Sequence, residues 1–156
     1  MKTTKAKGFT LIELIVVIAI IGVLAAILVP TMLGYVTKSR CSSANANAKS
    51  FYSAINSALV DLDSEGTDTA AYADTTNGTA LNTAAPASGS SESLAAKVER
   101  YFSDYDRLTS YQYVIAGGTC TAVVVQNGSY YGSYPNPSTV DNCKDSSVVT
   151  LTYAAT

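Results

Sequence analysis

The stretch that decides the fold of this chain is Lys7-Gly8-Phe9-Thr10-Leu11-Ile12-Glu13, and an apolar run follows it to Val29. From Leu14 onward this run contains only Leu, Ile, Val, Ala and one glycine. One carboxylate, that of Glu13, stands at the start of the run. A charge in hydrocarbon costs about 3 kcal/mol or more unless another group pairs with it. We therefore expect Glu13 to need a partner, which the neighbouring sequence does not supply.

The composition limits the classes of function. With 156 residues, the chain is long enough for one domain plus an anchor. It contains no histidine, so the usual metal ligand and the usual general base at neutral pH are absent. Its three cysteines do not form the close pairs of a zinc site. The net charge of −2 gives no basic patch for nucleic acid. We find no nucleophile elbow and no phosphate loop, and predict no enzyme, no metal site and no cofactor.

The N-terminus has the pattern of a targeting segment, because three lysines and no acid precede Gly8. One interpretation is an ordinary secretory signal cut near Ala25-Ala26, although the apolar run continues past that point. A second is a plain membrane anchor, since the 26 residues of 9–34 are enough to span a bilayer. The plain anchor leaves Glu13 unexplained.

A third interpretation comes from a resemblance. The motif Gly8-Phe9-Thr10-Leu11-Ile12-Glu13, followed by the long apolar stretch, resembles the N-terminus of a type IV pilin precursor up to about Tyr35. The resemblance implies that a membrane aspartyl peptidase cuts after Gly8, removes residues 1–8 and methylates the new amine of Phe9. It also implies that Glu13 pairs with the N-terminal amine of a subunit already in the filament. The resemblance further implies that the stretch between Gly22 and Pro30 unwinds on assembly, and the alternative is a proline that a membrane helix tolerates.

The same resemblance implies partners and a location. The partners are other copies of the chain in a helical filament, the prepilin peptidase and methylase, an inner-membrane assembly platform and minor pilins. We expect a single-pass membrane protein with a cytoplasmic N-terminus, which the leader lysines favour, and then an extracellular surface filament. Adhesion, motility or DNA uptake are roles of such filaments. A pseudopilin or minor pilin of a type II secretion or competence system has the same N-terminus, and a membrane-anchored binding protein is an alternative of another class.

The rest of the sequence predicts an α+β fold. Apolar residues at spacings of three and four predict one helix from about Phe9 to Leu62, with a transmembrane half at 9–34 and an amphipathic half at 35–63. Gly66 is expected to end this helix. The second half has an apolar stripe that comprises Cys41, Ala44, Ala48, Phe51, Ile55, Leu59 and Leu62. Asn45 lies off this stripe.

Residues 64–110 are predicted to form a surface loop with a short helix at 92–106, capped by Ser90 or Ser91. The apolar face of this helix is expected to hold Leu94, Val98, Tyr101, Phe102 and Tyr105. Residues 111–156 are predicted to form an antiparallel sheet of about four strands and a cross-linked C-terminal loop. The glycines and asparagine of Gly117-Gly118 and Asn127-Gly128 favour two-residue hairpin turns. The predicted strands are Tyr111–Ala116, Thr119–Gln126, Ser129–Tyr134 and Val148–Tyr153.

The amphipathic half of the long helix can cover one face of this sheet, which is the layout of a pilin head. Cys120 and Cys143 flank the third strand and the loop that follows it. In an oxidising exterior we expect them to be bridged, which in the chain-entropy model is worth around 3 kcal/mol. Cys41 lies on the helix stripe and is interpreted as a buried apolar residue. The alternatives are that Cys120 and Cys143 are two free buried thiols, or that Cys41 forms a bond with either of them.

Overall fold

The computed structural model of the protein describes residues 8–72, 92–104 and 107–145. The elements are helix α1 (Leu11–Ser64), a short 3-10 helix (Thr69–Tyr72), helix α2 (Leu94–Tyr101) and strands β1 (Ser110–Ala116), β2 (Thr119–Asn127) and β3 (Tyr130–Tyr134). The chain divides into two units, one up to Thr37 and one from Lys38 onward. The predicted leader residues 1–7, most of the predicted loop and the predicted strand Val148–Tyr153 lie outside the described residues.

The first unit contains the apolar half of α1. The helix continues through Pro30 without a break, and the Thr31 hydroxyl donates to the Leu28 carbonyl oxygen at 2.8 Å. Every described side chain from Gly8 to Val36 is exposed in the single chain. An apolar surface of this extent needs a bilayer or other protein to cover it.

The second half of α1 buries one face, as its periodicity predicts. The buried residues include the whole predicted stripe, and Ala54 and Ala58 widen it. The helix ends in a Schellman motif at Gly66, whose φ is 80°: the Gly66 amide donates to the Asp63 carbonyl at 2.9 Å, and the Thr67 amide donates to the Leu62 carbonyl at 3.0 Å. The predicted end of the helix is therefore confirmed.

The sheet is an antiparallel meander of order β1-β2-β3 among the described residues. Gly117 and Gly118 form the first hairpin turn with φ of 58° and 76°, which glycine adopts without the steric cost of a Cβ. In the second hairpin Asn127 pairs with Tyr130, so the turn residues are Gly128 and Ser129, one position later than predicted. The α+β prediction is confirmed, with three described strands where about four were predicted.

Helix α2 is shorter than the predicted 92–106. Ser93, not Ser90 or Ser91, accepts a hydrogen bond from the Ala96 amide at 3.3 Å and caps the helix, which ends at Phe102. Tyr101, which was predicted to lie on the apolar face, is half exposed, and its hydroxyl donates to Asp61 at 2.6 Å. Tyr105 lies outside the described residues.

The core lies between α1, α2 and the sheet. Phe51 of α1 is fully buried at its centre, with its ring centroid 5.9 Å from that of Phe102 and 5.0 Å from that of Tyr111. Leu94 and Val98 of α2 are buried against this cluster, together with Val123 and Val125 of β2. The second unit is thus a helix packed across an antiparallel sheet.

Candidate functional site

The predicted assembly residue Glu13 lies in the first turn of α1, where its carboxylate folds back onto Thr10. The Thr10 backbone amide donates to Glu13 Oε2 at 2.9 Å and the Thr10 hydroxyl donates to the same oxygen at 2.6 Å. In return, the Glu13 amide donates to Thr10 Oγ1 at 3.4 Å. This reciprocal arrangement is a capping box, and the carboxylate also stabilises the positive end of the helix dipole.

The capping box corrects one inference drawn from the sequence. We expected the neighbouring residues to offer Glu13 no partner, and Thr10 offers two donors. The signal was readable, because Thr10-Leu11-Ile12-Glu13 fits the pattern of Ser or Thr followed three residues later by Glu or Gln. The carboxylate is therefore hydrogen-bonded within its own chain, although it is exposed and forms no ion pair with a cation of the described residues.

The remainder of the candidate site is the apolar helix. Among the described residues, α1 is the one helix long and apolar enough to cross a membrane, and a signal sequence near the N-terminus would satisfy the same criteria. Pro30 cannot donate a backbone hydrogen bond, and Gly22 lowers helix propensity by about 1 kcal/mol relative to alanine. Gly22 and Pro30, which bound the segment predicted to unwind, lie within a continuous helix. The segment between them is therefore helical in the single chain.

The second unit fastens its C-terminal loop to α1 through Asn45. Its side-chain Oδ1 accepts from the Ser133 amide at 3.1 Å and from the Ser138 amide at 3.0 Å, while its Nδ2 donates to the Ser138 carbonyl at 2.8 Å. Strand β3 crosses α1 beside this residue so closely that a Cβ on Gly132 would lie 2.1 Å from the carbonyl carbon of Ala44. Sequence reasoning placed Asn45 off the buried stripe and missed this role, since periodicity does not show which backbone covers a helix.

The structure places the predicted bridge partners apart, and all three cysteines are free thiols. The Cys120 amide donates to Asn56 Oδ1 at 3.0 Å, whereas Cys143 lies in a turn beside Cys41. Cys41 and Asn56 are about 22 Å apart along α1 at ~1.5 Å per residue. Bridged cysteines have Cα atoms within about 7 Å, so this structure does not bring Cys120 and Cys143 together.

The separation has a simple physical reason. Strand β2 runs along α1, so its first residues lie beside Asn56 and its last residue, Asn127, lies with Arg40 and Ser43 at the other end of the head. Burial raises the pKa of the Cys120 thiol to about 12. No group of three His, Cys, Asp or Glu side chains that could hold a metal ion occurs within the part of the chain that the structure describes.

Comparisons with known proteins match a minority of the chain. A family model described as the prokaryotic N-terminal methylation motif matches residues 3–29. The chain is 46% identical over 57 residues to a type IV major pilin protein PilA of Myxococcus xanthus, covering 36% of this chain and 26% of the relative. It is 46% identical over 55 residues to a type IV major fimbrial protein FimA of Dichelobacter nodosus, covering 35% of each chain.

A third relative, the fimbrial protein EcpC of Eikenella corrodens, is 63% identical over 38 residues, which is 24% of this chain and 25% of the relative. The matches thus span about a quarter to a third of the length of these curated relatives. No solved structure matches the chain. The methylation motif and the matched relatives show that part of this chain is similar to type IV pilins, and the long apolar helix followed by an antiparallel sheet is consistent with a pilin fold.

Proposed function

We propose that this chain is the precursor of a major structural subunit of a type IV pilus. A prepilin peptidase removes residues 1–8 and the new amine of Phe9 is methylated. Residues 9–34 anchor the subunit in the membrane and then form the filament core, 35–63 carry the head, and 64–110 and 111–156 complete its surface. The observation that carries the proposal is the exposed apolar half of α1 with Glu13 at its start.

Assembly buries this apolar half against the same segment of other copies. Each exposed aliphatic side chain of this half gains about 1.5–3 kcal/mol when it leaves water, but little on moving from lipid to protein. The register between neighbouring helices therefore has to come from polar groups. Glu13 is the one acid between Gly8 and Asp61, and a new N-terminal amine at Phe9 supplies the matching cation.

The capping box is compatible with this pairing. Both Thr10 donors bind Glu13 Oε2, which leaves Oε1 to accept from the amine of a neighbouring subunit. The carboxylate then keeps its helix-capping role and gains a charge-assisted hydrogen bond in a surround that excludes water. Breaking one partner of such a pair costs about 3–5 kcal/mol, which is more than a tenfold change in an assembly equilibrium.

The test compares three variants of the full-length chain. Glu13→Gln keeps a capping box but removes the charge, Glu13→Ala removes both, and Thr10→Ala weakens the cap by about 1 kcal/mol while keeping the charge. We expect both Glu13 variants to be inserted and cleaved but to give less than about a tenth of the sheared filaments. Thr10→Ala should retain filaments.

Filament yield is measured against the amount of processed subunit in the membrane. Normal filament yield from Glu13→Gln would contradict the pairing and leave only a helix-capping role. Abundance of the chain in sheared filaments also separates a major pilin from a pseudopilin or minor pilin. Dispersed membrane monomers in a strain that assembles filaments would instead favour an anchored binding protein.

A further inference from the structure

Two buried thiols meet where the C-terminal loop returns to helix α1. The Cys41 thiol donates to the Thr139 carbonyl oxygen at 3.3 Å, and the Cys143 backbone amide donates to the same oxygen at 2.9 Å. The Cys143 thiol also lies close enough to Cys41 to raise the pKa of the Cys41 thiol. Only 2% of Cys41 and none of Cys143 is exposed.

We propose that Cys41 and Cys143 form a disulfide that ties the C-terminal loop to helix α1, and that Cys120 stays a free buried thiol. This assignment differs from the Cys120–Cys143 bridge predicted from sequence. The proposed disulfide rests on the proposed function in one respect. It requires the head to lie outside the cytoplasm, because disulfides persist in oxidising compartments.

The chemistry is a thiol–disulfide exchange with an oxidised dithiol protein as the disulfide donor. One thiolate attacks the donor disulfide, forming a mixed disulfide and releasing one donor thiol. The second thiolate then attacks the mixed disulfide, forming the Cys41–Cys143 bond and releasing the second donor thiol. The two cysteines lose two protons and two electrons, and the donor gains both electrons as its disulfide becomes a dithiol.

The loop is already shaped for this bond. The Thr139 amide donates to Asn142 Oδ1 at 2.7 Å, which begins the turn that carries Cys143. The Tyr131 amide of β3 donates to the Cys143 carbonyl at 2.7 Å, so the Cys143 end of the turn is fixed to β3. Asn45, one helical turn after Cys41, holds Ser138 of the same loop. The folded loop therefore holds Cys143 beside Cys41, as the bond requires.

The environment of Cys41 predicts when the bond forms. Burial raises the pKa of the Cys41 thiol to about 12, and the hydrogen bond with the neighbouring Cys143 thiol adds to the effect. Exchange needs the thiolate, so the packed thiols react slowly at neutral pH. Oxidation should precede the final packing of the loop, and the buried bond should then resist small reductants until the head unfolds.

The test is alkylation of the subunit from sheared filaments, denatured without reductant. We expect one alkylated cysteine, Cys120, before reduction and three after it. Trypsin alone leaves Cys120 and Cys143 on one peptide, because no Lys or Arg stands between Arg107 and Lys144. Added chymotrypsin cuts at the intervening tyrosines, and the linked peptides should be the one that begins at Cys41 and the one that contains Cys143. Three alkylated cysteines without reductant, or a linkage through Cys120, would overturn the assignment.

Matched variants give a second readout. Cys41→Ser and Cys143→Ser should each show two alkylated cysteines without reduction, and the control Cys120→Ser should show none. Reduction should lower the thermal unfolding midpoint of the wild type and of Cys120→Ser, but not that of the two other variants. An equal effect of reduction on all four proteins would contradict the bond.

The two proposals fail separately in these experiments. Filaments that contain the chain with three free thiols would leave the pilus function standing and remove the disulfide. If no filament contains the chain, the same alkylation of the detergent-extracted membrane protein still decides the bond.

Discussion

Replacing Asn45 by alanine removes three hydrogen bonds at the junction between α1 and the C-terminal loop. The lost bonds are those with the Ser133 amide, the Ser138 amide and the Ser138 carbonyl. At about 1 kcal/mol net for each bond, the loss is about 3 kcal/mol, and the buried Ser138 amide adds a desolvation cost of about 1 kcal/mol. Alanine recovers about 0.6 kcal/mol of helix propensity. We expect the unfolding free energy of the head to fall by about 3 kcal/mol.

The assay is thermal unfolding of the full-length chain in detergent, followed by the near-ultraviolet circular dichroism of its tyrosines. A loss of this size lowers the midpoint by roughly 10 °C in a chain of this length. The protein should be unfolded and refolded with reductant present throughout, so that no disulfide compensates for the lost hydrogen bonds. The tyrosine signal reports on the head, because ten of the eleven tyrosines lie beyond Lys38.

Two matched variants sharpen the prediction. Asn47→Ala changes the same residue type two positions along α1, where the side chain makes none of these bonds, and should stay within about 0.5 kcal/mol of the wild type. Asn45→Asp keeps the oxygen that accepts from two amides but loses the donor to Ser138, and should lie between the wild type and Asn45→Ala. A stability of Asn45→Ala within about 1 kcal/mol of the wild type, or equal effects at both positions, would refute the reasoning.

Three further changes test other parts of the head by the same unfolding assay. Gly132→Ala places a Cβ 2.1 Å from the Ala44 carbonyl carbon and should lower the unfolding free energy by at least about 3 kcal/mol. Wild-type stability of this variant would show that β3 does not cross α1 at Gly132. Lys97 is buried with its Nζ 2.6 Å from Glu65, which is 44% exposed, so Glu65→Gln should cost about 1–2 kcal/mol and Lys97→Met less. A larger loss of stability in Lys97→Met than in Glu65→Gln would contradict the inference that the buried Lys97 charge needs the Glu65 carboxylate. The pKa of buried Cys120 is raised to about 12, so the folded head keeps a proton that the unfolded chain releases near pH ~8.5. Stability should therefore fall as pH rises above about 9, and less steeply in Cys120→Ala, whereas identical slopes would contradict this titration.

Local signals in the sequence predicted most of the fold. The spacing of apolar residues on α1 depends on the helical repeat alone, and the positive φ of Gly117, Gly118 and Gly66 follows from the absence of a Cβ. These elements therefore lie within about two residues of their predicted bounds. Helix α2 departs further, because its capping by Ser93 and its end at Phe102 depend on packing against Phe51 as well as on local preference.

The contacts between distant segments were harder to predict. Which cysteine lies beside Cys41 depends on the direction of β2 along α1 and on the path of the loop after β3, neither of which a single sequence specifies. For the same reason the sequence did not predict the role of Asn45, because its partners are backbone groups about 90 residues away in the chain. By contrast, Thr10 could have been predicted as a partner of Glu13, because the capping-box pattern is a local feature of the sequence.

The mass and the N-terminal sequence of the mature protein give the most direct test of the proposed pilin function. We expect a chain that lacks residues 1–8 and begins with N-methylated Phe9. A mature N-terminus near Ile27, as after cleavage of an ordinary secretory signal at Ala25-Ala26, would remove Glu13 and contradict the account.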